Sequence, residues 1–217
     1  MKVPDIRAEA WFHERRKLAS ADRYSSGKAK RLMDIIVSFT VLMVTLPLWP
    51  MIALAIKLNS RGPVFYTQMR VGKGKKIFAL SKFRSMIERA EEEGALWANE
   101  NDERVTAVGR ILRRLHVDEL PQLLHVLRGE MSLVGPRPER PEFVRELKRE
   151  IPHYSLRHLV KPGLTGWAQV HYPYASSLEA SREKQEYDLY YVSRMSLAMD
   201  LLILWKTAKK VFKKRQF

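Results

Sequence analysis

The sequence predicts an α+β protein, mainly helical, with one small β-hairpin, a re-entrant membrane segment of helix-break-helix form, and amphipathic helices lying at a membrane interface. Three observations point there. Residues 35–56, IIVSFTVLMVTLPLWPMIALAI, carry no charged side chain but two prolines. The stretch GPVFYTQMRVGKGKKIFALSKFRSM alternates β-branched and aromatic residues with polar ones around a Gly-Lys-Gly-Lys turn. Both ends of the chain set apolar residues at helical spacing among lysines and arginines.

A chain of 217 residues is long enough for one domain with a real core and appended segments, and short for two full domains. The expected division is an N-terminal amphipathic segment (1–32), a re-entrant hairpin (33–57), a catalytic or binding unit facing the cytoplasm (58–195) and a basic C-terminal amphipathic helix (196–217). There is no cysteine, which excludes disulfides, a thiol nucleophile and cysteine-type zinc sites and fits a reducing compartment. A net charge of +15 calls for a polyanionic partner: nucleic acid, an anionic membrane surface or a phosphorylated ligand. The uncharged run 35–56 counts against nucleic acid.

Taking the elements in order, residues 5–24 mix Trp11, Phe12 and Leu18 with Arg15, Arg16 and Lys17, a pattern suited to the headgroup plane. As a straight helix, residues 35–56 would be about 33 Å long, enough to span a hydrocarbon core of about 30 Å. Pro47 and Pro50 each remove a backbone donor and crowd the preceding turn, so a break is expected between Thr45 and Pro50. The flanks share one sign: Arg23, Lys28, Lys30 and Arg31 precede the run, and Lys57, Arg61, Arg70, Lys73, Lys75 and Lys76 follow it. Positive flanks favour the cytoplasmic side, so the segment is read as entering and leaving by one face. A single kinked spanning helix is the alternative, because neighbours can satisfy groups that proline frees. The run is too long for a secretory signal and lacks a small-residue cleavage site.

In the soluble part, Gly72 and Gly74 serve the hairpin turn and do not match a phosphate-cradling loop. Residues 85–98 read as helix. NENDERVT is a polar loop before a short basic helix, AVGRILRRL. The adjacent carboxylates Asp118 and Glu119 then open the apolar run Leu120 to Leu127, which ends at Gly129. The plain reading of such a pair is a helix first turn, where acids answer the dipole. In MSLVGPRPERPEF, Pro136, Pro138 and Pro141 force a stiff extended loop that can hold Arg137 in place. KPGLTGWAQVHYPY contains a Pro162-Gly163 turn and a second glycine before Trp167, fit for packing or for a base pocket. The tail sets Leu201, Leu204, Trp205, Ala208 and Phe212 against Lys206, Lys209, Lys210, Lys213 and Lys214, either as a lipid-surface helix or, over 197–205, as a core helix.

The ordered set KFRSM, DELPQL, MSLVGPRP and LTGWAQ resembles the bacterial sugar transferase family, the monotopic polyprenyl-phosphate phosphoglycosyl transferases that begin exopolysaccharide, O-antigen and glycoprotein glycan assembly. The likeness runs from about Lys30 to the C-terminus. It looks closest to a minimal form without the extra spanning helices and further domain of larger relatives, and its tail, YDLYYVSRMSLAMDLLILWKT, is most like exopolysaccharide initiators.

The resemblance implies transfer of sugar 1-phosphate from a UDP-sugar to polyprenyl phosphate, typically undecaprenyl phosphate, with release of UMP and a need for Mg²⁺. It places the protein on the cytoplasmic face of a bacterial inner membrane, with a UDP-sugar, polyprenyl phosphate and the cytoplasmic leaflet as partners. It implies a ping-pong route through a phosphosugar-aspartyl intermediate on Asp118, with Glu119 beside it.

The chemistry of the residues agrees. A carboxylate needs no general base and gives an acyl phosphate reactive enough to pass the group on. Adjacent side chains do not face each other, so Glu119 is expected to bind metal or orient Asp118. Both carboxylates are candidate Mg²⁺ ligands, since a diphosphate and two acids repel unless cations intervene. Arg113, Arg137, Lys82 and Arg84 are the candidate phosphate clamps by motif position. For Lys82 and Arg84 a lipid-surface or structural role stands equally open. A catalytic role for His116 or His125 is disfavoured. The rival to an enzyme is a membrane-surface scaffold, which needs neither the acidic pair nor the rigid loop. The sugar is left open, and a homodimer is compatible with the sequence.

Overall fold

The computed structural model describes residues 15–88, 90, 102–172 and 177–212, with backbone alone for residues 15–19 and 212. Trp11, Phe12, the side chains of Arg15, Arg16, Lys17, Leu18 and Phe212, and Lys213 and Lys214 lie outside the described part. So does most of the helix expected over 85–98.

The chain is mainly helical. Helix α1 (Arg15–Ser25) leads through Gly27 into α2 (Lys28–Thr45), a 3₁₀ turn (Leu46–Leu48) and α3 (Trp49–Asn59). Pro47 and Pro50 sit at the second positions of the 3₁₀ turn and of α3, so the chain changes helix type where two donors are missing. Together the two helices form a 32-residue segment long and apolar enough to cross a membrane, of which little is buried by the protein. Ile36, Phe39, Val44, Leu48, Met51, Leu54 and Leu58 are exposed along it.

The expected hairpin is present: β1 (Phe65–Val71) pairs antiparallel with β2 (Ile77–Phe83), Tyr66 opposite Lys82 and Arg70 opposite Phe78. Gly74 adopts φ +63° in the turn with open space around it. Beyond β2 the expected helix does not begin at residue 85: Met86 instead bridges Val105 in an extended pairing. Helix α4 (Ala107–Arg114) follows, capped by the Thr106 hydroxyl, which accepts from the Gly109 amide.

A 3₁₀ turn (Val117–Glu119), helix α5 (Gln122–Arg128), strand β3 (Ser132–Val134), the proline loop, and helix α6 (Pro141–Glu150) come next. Pro141 opens α6 at its first helical position, so the stiff loop ends at Arg140. A 3₁₀ segment (Tyr154–Leu159) leads to strand β4 (Gly163–Thr165), short helix α7 (Trp167–His171), α8 (Leu178–Arg194) and α9 (Leu197–Phe212). Pro162-Gly163 is therefore not a free turn: Gly163 starts a strand parallel to β3. The approach is so close that a Cβ on Gly163 would lie 2.1 Å from the Gly135 amide nitrogen. Only bare backbone fits there.

The main core gathers Leu42, Leu80, Leu123, Val126, Met131, Leu133, Val134, Val160, Trp167, Tyr191, Val192 and Ile203. A second cluster joins Ile56 of α3 to Phe83 and Leu112, with the Trp49, Phe65 and Phe83 rings in contact. Helix α9 is neither purely core nor purely interfacial. Asp200 and Ile203 are fully buried, while Leu197, Leu201 and Trp205 are exposed. Lys206 and Lys210, expected on lipid, instead turn to His171 Nε2 (2.8 Å) and the Gln169 carbonyl (2.7 Å).

Both ends of the apolar segment are fastened to the rest of the fold. At the start, Lys30 Nζ donates to Asp200 (2.6 Å) and to the Val134 carbonyl (3.1 Å), Asp34 accepts from the Ser132 hydroxyl and the Leu133 amide (3.0 Å each), and Arg31 donates to the Val126 and Leu127 carbonyls (2.6 Å each). At the end, Asn59 Oδ1 accepts from the Val108 amide (3.1 Å) and Arg84 donates to the Ser60 carbonyl (2.8 Å).

Candidate active site

Asp118 and Glu119 do not open the following helix. They occupy a separate 3₁₀ turn, set off on one side by His116 in the left-handed conformation (φ 56°) and on the other by Pro121, after which α5 starts at Gln122. A left-handed residue and a proline interrupt continuous α-helix at those two points. The turn packs on α4 and β2, which places it against Arg113 and Lys82.

The two carboxylates have different surroundings. Glu119 is gripped by the guanidinium of Arg137, both of whose terminal nitrogens reach its two oxygens. Burial alone would raise its pKa, but Arg137, by charge and hydrogen bond, holds it below the ordinary glutamate range. Asp118 is 6% exposed and has no hydrogen-bond or ion-pair partner among the described residues. Burial first, and the Glu119 charge second, push its pKa up, against the opposing pull of Lys82, Arg113 and Arg137.

Of the four candidate cations, three stand around this pair. Arg137 holds Glu119. Arg113 is anchored by its Nε to the Ser85 hydroxyl (2.8 Å) and bears on Asp118. Lys82 lies with its ammonium 5.3 Å from the centre of the Tyr66 ring. Burial brings the Lys82 pKa down to about 8, while Asp118 pulls it back up and Arg113 and Arg70 push it further down. Arg84 is placed differently: its hydrogen bonds run to the Ser60 carbonyl and hydroxyl at the end of α3, and its Nε and one terminal nitrogen are buried without a partner among the described residues.

The Arg137 loop is rigid for reasons beyond its prolines. The Gly135 amide donates to the Thr165 carbonyl and the Gly163 amide to the Pro136 carbonyl (2.9 Å each). Arg157 donates to the Arg137 carbonyl and to Asp188 (2.8 Å each), and Arg70 donates to the Pro138 carbonyl (2.9 Å). Glu139 accepts from Lys184 (2.7 Å); although its burial would raise the pKa, Lys184, Arg157 and Arg70 hold it down at about 2. Behind the loop a cavity of about 10 Å³, the size of one water, is lined by Pro136, Arg137, Arg157 and His158.

These loop-holding residues are not singled out by sequence. Arg157 and Asp188 lie 31 positions apart, and nothing local in either segment announces the pair. Arg70 has a weak signal, its place on the inner face of the alternating strand. His125 is structural: its Nε2 accepts from the Ser81 amide (3.1 Å) while Nδ1 meets Glu130 (2.7 Å). His116 is exposed and shapes the turn.

Among the described residues no three His, Cys, Asp or Glu side chains gather as a metal cage. Two adjacent carboxylates do fit Mg²⁺, which takes one or two protein oxygens and completes its octahedron with water and substrate phosphates. Among the described residues the arrangement offers one buried carboxylate without a partner, one clamped carboxylate and three cations, the equipment for attack on an anionic phosphorus centre.

The family model described as bacterial sugar transferase matches residues 25–214. A UDP-N-acetylgalactosamine-undecaprenyl-phosphate N-acetylgalactosaminephosphotransferase of Aeromonas hydrophila is 48% identical over 182 residues, covering 84% of this chain and 43% of that protein. A UDP-glucose:undecaprenyl-phosphate glucose-1-phosphate transferase of Klebsiella pneumoniae is 43% identical over 185 residues, covering 84% and 40%. A protein of the same name from Caulobacter vibrioides is 42% identical, covering 82% and 67%. The chain thus spans about two-fifths of the first two relatives.

Proposed function

Because the chain belongs to the bacterial sugar transferase family, we propose that it moves sugar 1-phosphate from a UDP-sugar to undecaprenyl phosphate and releases UMP, as the first membrane step of exopolysaccharide or related glycan synthesis. The observation that carries this reading is the division of labour in the acidic pair: Glu119 is engaged by Arg137, and Asp118 is buried, flanked by cations and without a hydrogen-bond or ion-pair partner among the described residues.

In the first half-reaction an Asp118 oxygen attacks the phosphorus that bears the sugar. The bond from that phosphorus to the bridging oxygen breaks, and UMP leaves with the electron pair. In the second, an oxygen of the lipid phosphate attacks the same phosphorus, the aspartyl–phosphorus bond breaks, and the carboxylate returns. No proton need be removed from an ionised carboxylate nucleophile, so the step asks for no general base. Lys82, Arg113 and Arg137 stabilise the charge on the equatorial oxygens. Glu119, fixed by Arg137, orients the turn, and it and Asp118 would hold Mg²⁺, which would neutralise the diphosphate.

The acceptor phosphate lies at headgroup depth. A re-entrant segment places the unit on the cytoplasmic leaflet, where that phosphate can be met without crossing. What supports this is the 3₁₀ break at the two prolines, basic flanks on both sides, and the anchoring of both ends to one unit.

The test is UMP release by nanodisc-held protein with Mg²⁺, undecaprenyl phosphate and a panel of UDP-sugars, set beside the Asp118→Asn variant. Loss of turnover by 10³-fold or more with membrane association unchanged is expected, and mass spectrometry of protein given donor but no acceptor should find the phosphosugar on Asp118. Turnover in the variant near the parent rate would refute the assignment.

A further inference from the structure

The inner face of β1 carries a row the reaction described above does not use: Tyr66, Gln68 and Arg70, at alternating positions and all half-buried. The row is internally bonded. Gln68 Nε2 donates to the Tyr66 hydroxyl (3.1 Å), Arg70 donates to Gln68 Oε1, and Arg70 continues to the Pro138 carbonyl (2.9 Å). At its other end the Tyr66 ring lies directly across the ladder from Lys82 and 5.3 Å beneath its ammonium. One continuous line therefore runs from the lysine beside Asp118 to the loop that carries Arg137.

A lysine on a four-carbon stem is a mobile point charge, and a phosphate clamp loses affinity when its cation must be ordered at the moment of binding. An aromatic face attracts an ammonium through its quadrupole, more strongly where water is excluded. Gln68 fixes the ring by its hydroxyl end, so the face presented to Lys82 is set by the strand and not by rotamer chance.

Building on the proposed reaction, we propose that Tyr66 is a positioning residue: its ring holds the Lys82 ammonium toward the donor diphosphate, and Gln68 and Arg70 brace that ring against the Arg137 loop. Tyr66 touches no reacting atom in this scheme and acts through Lys82.

The experiment measures UDP binding by calorimetry to the full chain in nanodiscs with Mg²⁺, for the parent, Tyr66→Phe, Tyr66→Leu, Lys82→Met and the double variant Tyr66→Leu/Lys82→Met. UDP carries the diphosphate and cannot turn over, so variants inactive in catalysis remain readable. Tyr66→Leu is expected to weaken binding about tenfold and Tyr66→Phe, which keeps the ring, less than about threefold. In the Lys82→Met background Tyr66→Leu should add nothing, a result a general packing role would not give. An equal loss in both backgrounds, a Tyr66→Phe loss as large as that of Tyr66→Leu, or no loss at all overturns the positioning role while leaving the functional reading intact. Failure of the parent chain to bind UDP overturns the functional reading, and this inference with it.

Discussion

Asp118 and Glu119 share a functional group and differ in what meets it, and the difference sets how activity should respond to pH. Burial raises the Asp118 pKa, so acid protonates it earlier than an exposed aspartate and turnover should fall as pH drops into that raised range. Burial lowers the Lys82 pKa to about 8, so its charge is lost as pH rises through that value. The profile of kcat/KM should therefore be bell-shaped. Lys82→Arg, permanently charged, should carry the alkaline limb upward by more than one pH unit, and a limb that stays in place would remove Lys82 from the assignment. His158 makes a separate prediction. Burial, with Arg157 and Lys75, depresses its pKa from 6.5 to about 4, so between those values the unfolded chain holds a proton that the folded chain refuses. The His158 contribution should then make stability rise with pH from about 4 to 6.5, by up to about 3 kcal/mol, read by urea unfolding as the difference in slope between the parent and His158→Phe, since the raised pKa values of Asp34, Asp118 and Asp188 pull the other way in both proteins. The acidic pair, Arg113, Arg137 and Lys82 are legible in sequence because they sit in short motifs. Which acid is free and which is clamped is not, since it depends on an arginine 18 positions away.

Local patterning announced the hairpin and the apolar segment because alternation and lack of charge are properties of contiguous residues. It misplaced the elements held by backbone alone. Strands β3 and β4 have three residues each and pair in parallel across a 28-residue connection, and their glycines carry no periodic signal. Their contact is nonetheless what seats the Arg137 loop. Gly163→Ala puts a methyl 2.1 Å from the Gly135 amide nitrogen and 2.5 Å from its carbonyl oxygen, backbone atoms that cannot step aside. It should lower turnover at least tenfold through Arg137 and also lower the melting temperature, whereas Gly74→Ala, in open space, should cost only the strain of its positive φ. The same logic applies between α2 and α9. Lys30 and Asp200 are both buried and 2.6 Å apart, and Tyr24 and Tyr191 also donate to Asp200. Lys30→Met strands a carboxylate away from water and should destabilise the protein by about 3–5 kcal/mol in thermal or denaturant unfolding, with Lys30→Met/Asp200→Leu recovering part of it.

At the scale of the whole molecule, the proposed reaction depends on the path of the apolar segment, because that path decides whether the site can meet a lipid phosphate on the cytoplasmic leaflet. A straight helix over Lys28–Asn59 would be about 48 Å long, well beyond the hydrocarbon thickness of about 30 Å, and spanning would put its two ends on opposite faces. Both ends bond to the same folded unit: Lys30 and Asp34 to Asp200, Ser132 and Leu133, and Asn59 and Ser60 to Val108 and Arg84. A membrane between them would have to sever one set, and at the first end that would part the buried Lys30–Asp200 pair, which is costly away from water. The native chain contains no cysteine, so single labels report cleanly. Ser26→Cys and Arg61→Cys, at exposed positions just outside the segment, should both resist a membrane-impermeant maleimide in intact spheroplasts and both react after lysis. If one of the two labels before lysis, the segment spans, and the proposed reaction must reach its acceptor by another geometry. Replacing Pro47 and Pro50 together with leucine restores the missing donors and favours one straight helix. The variant should then trade anchoring for length, with UMP release falling and the Arg61→Cys label becoming partly accessible from outside.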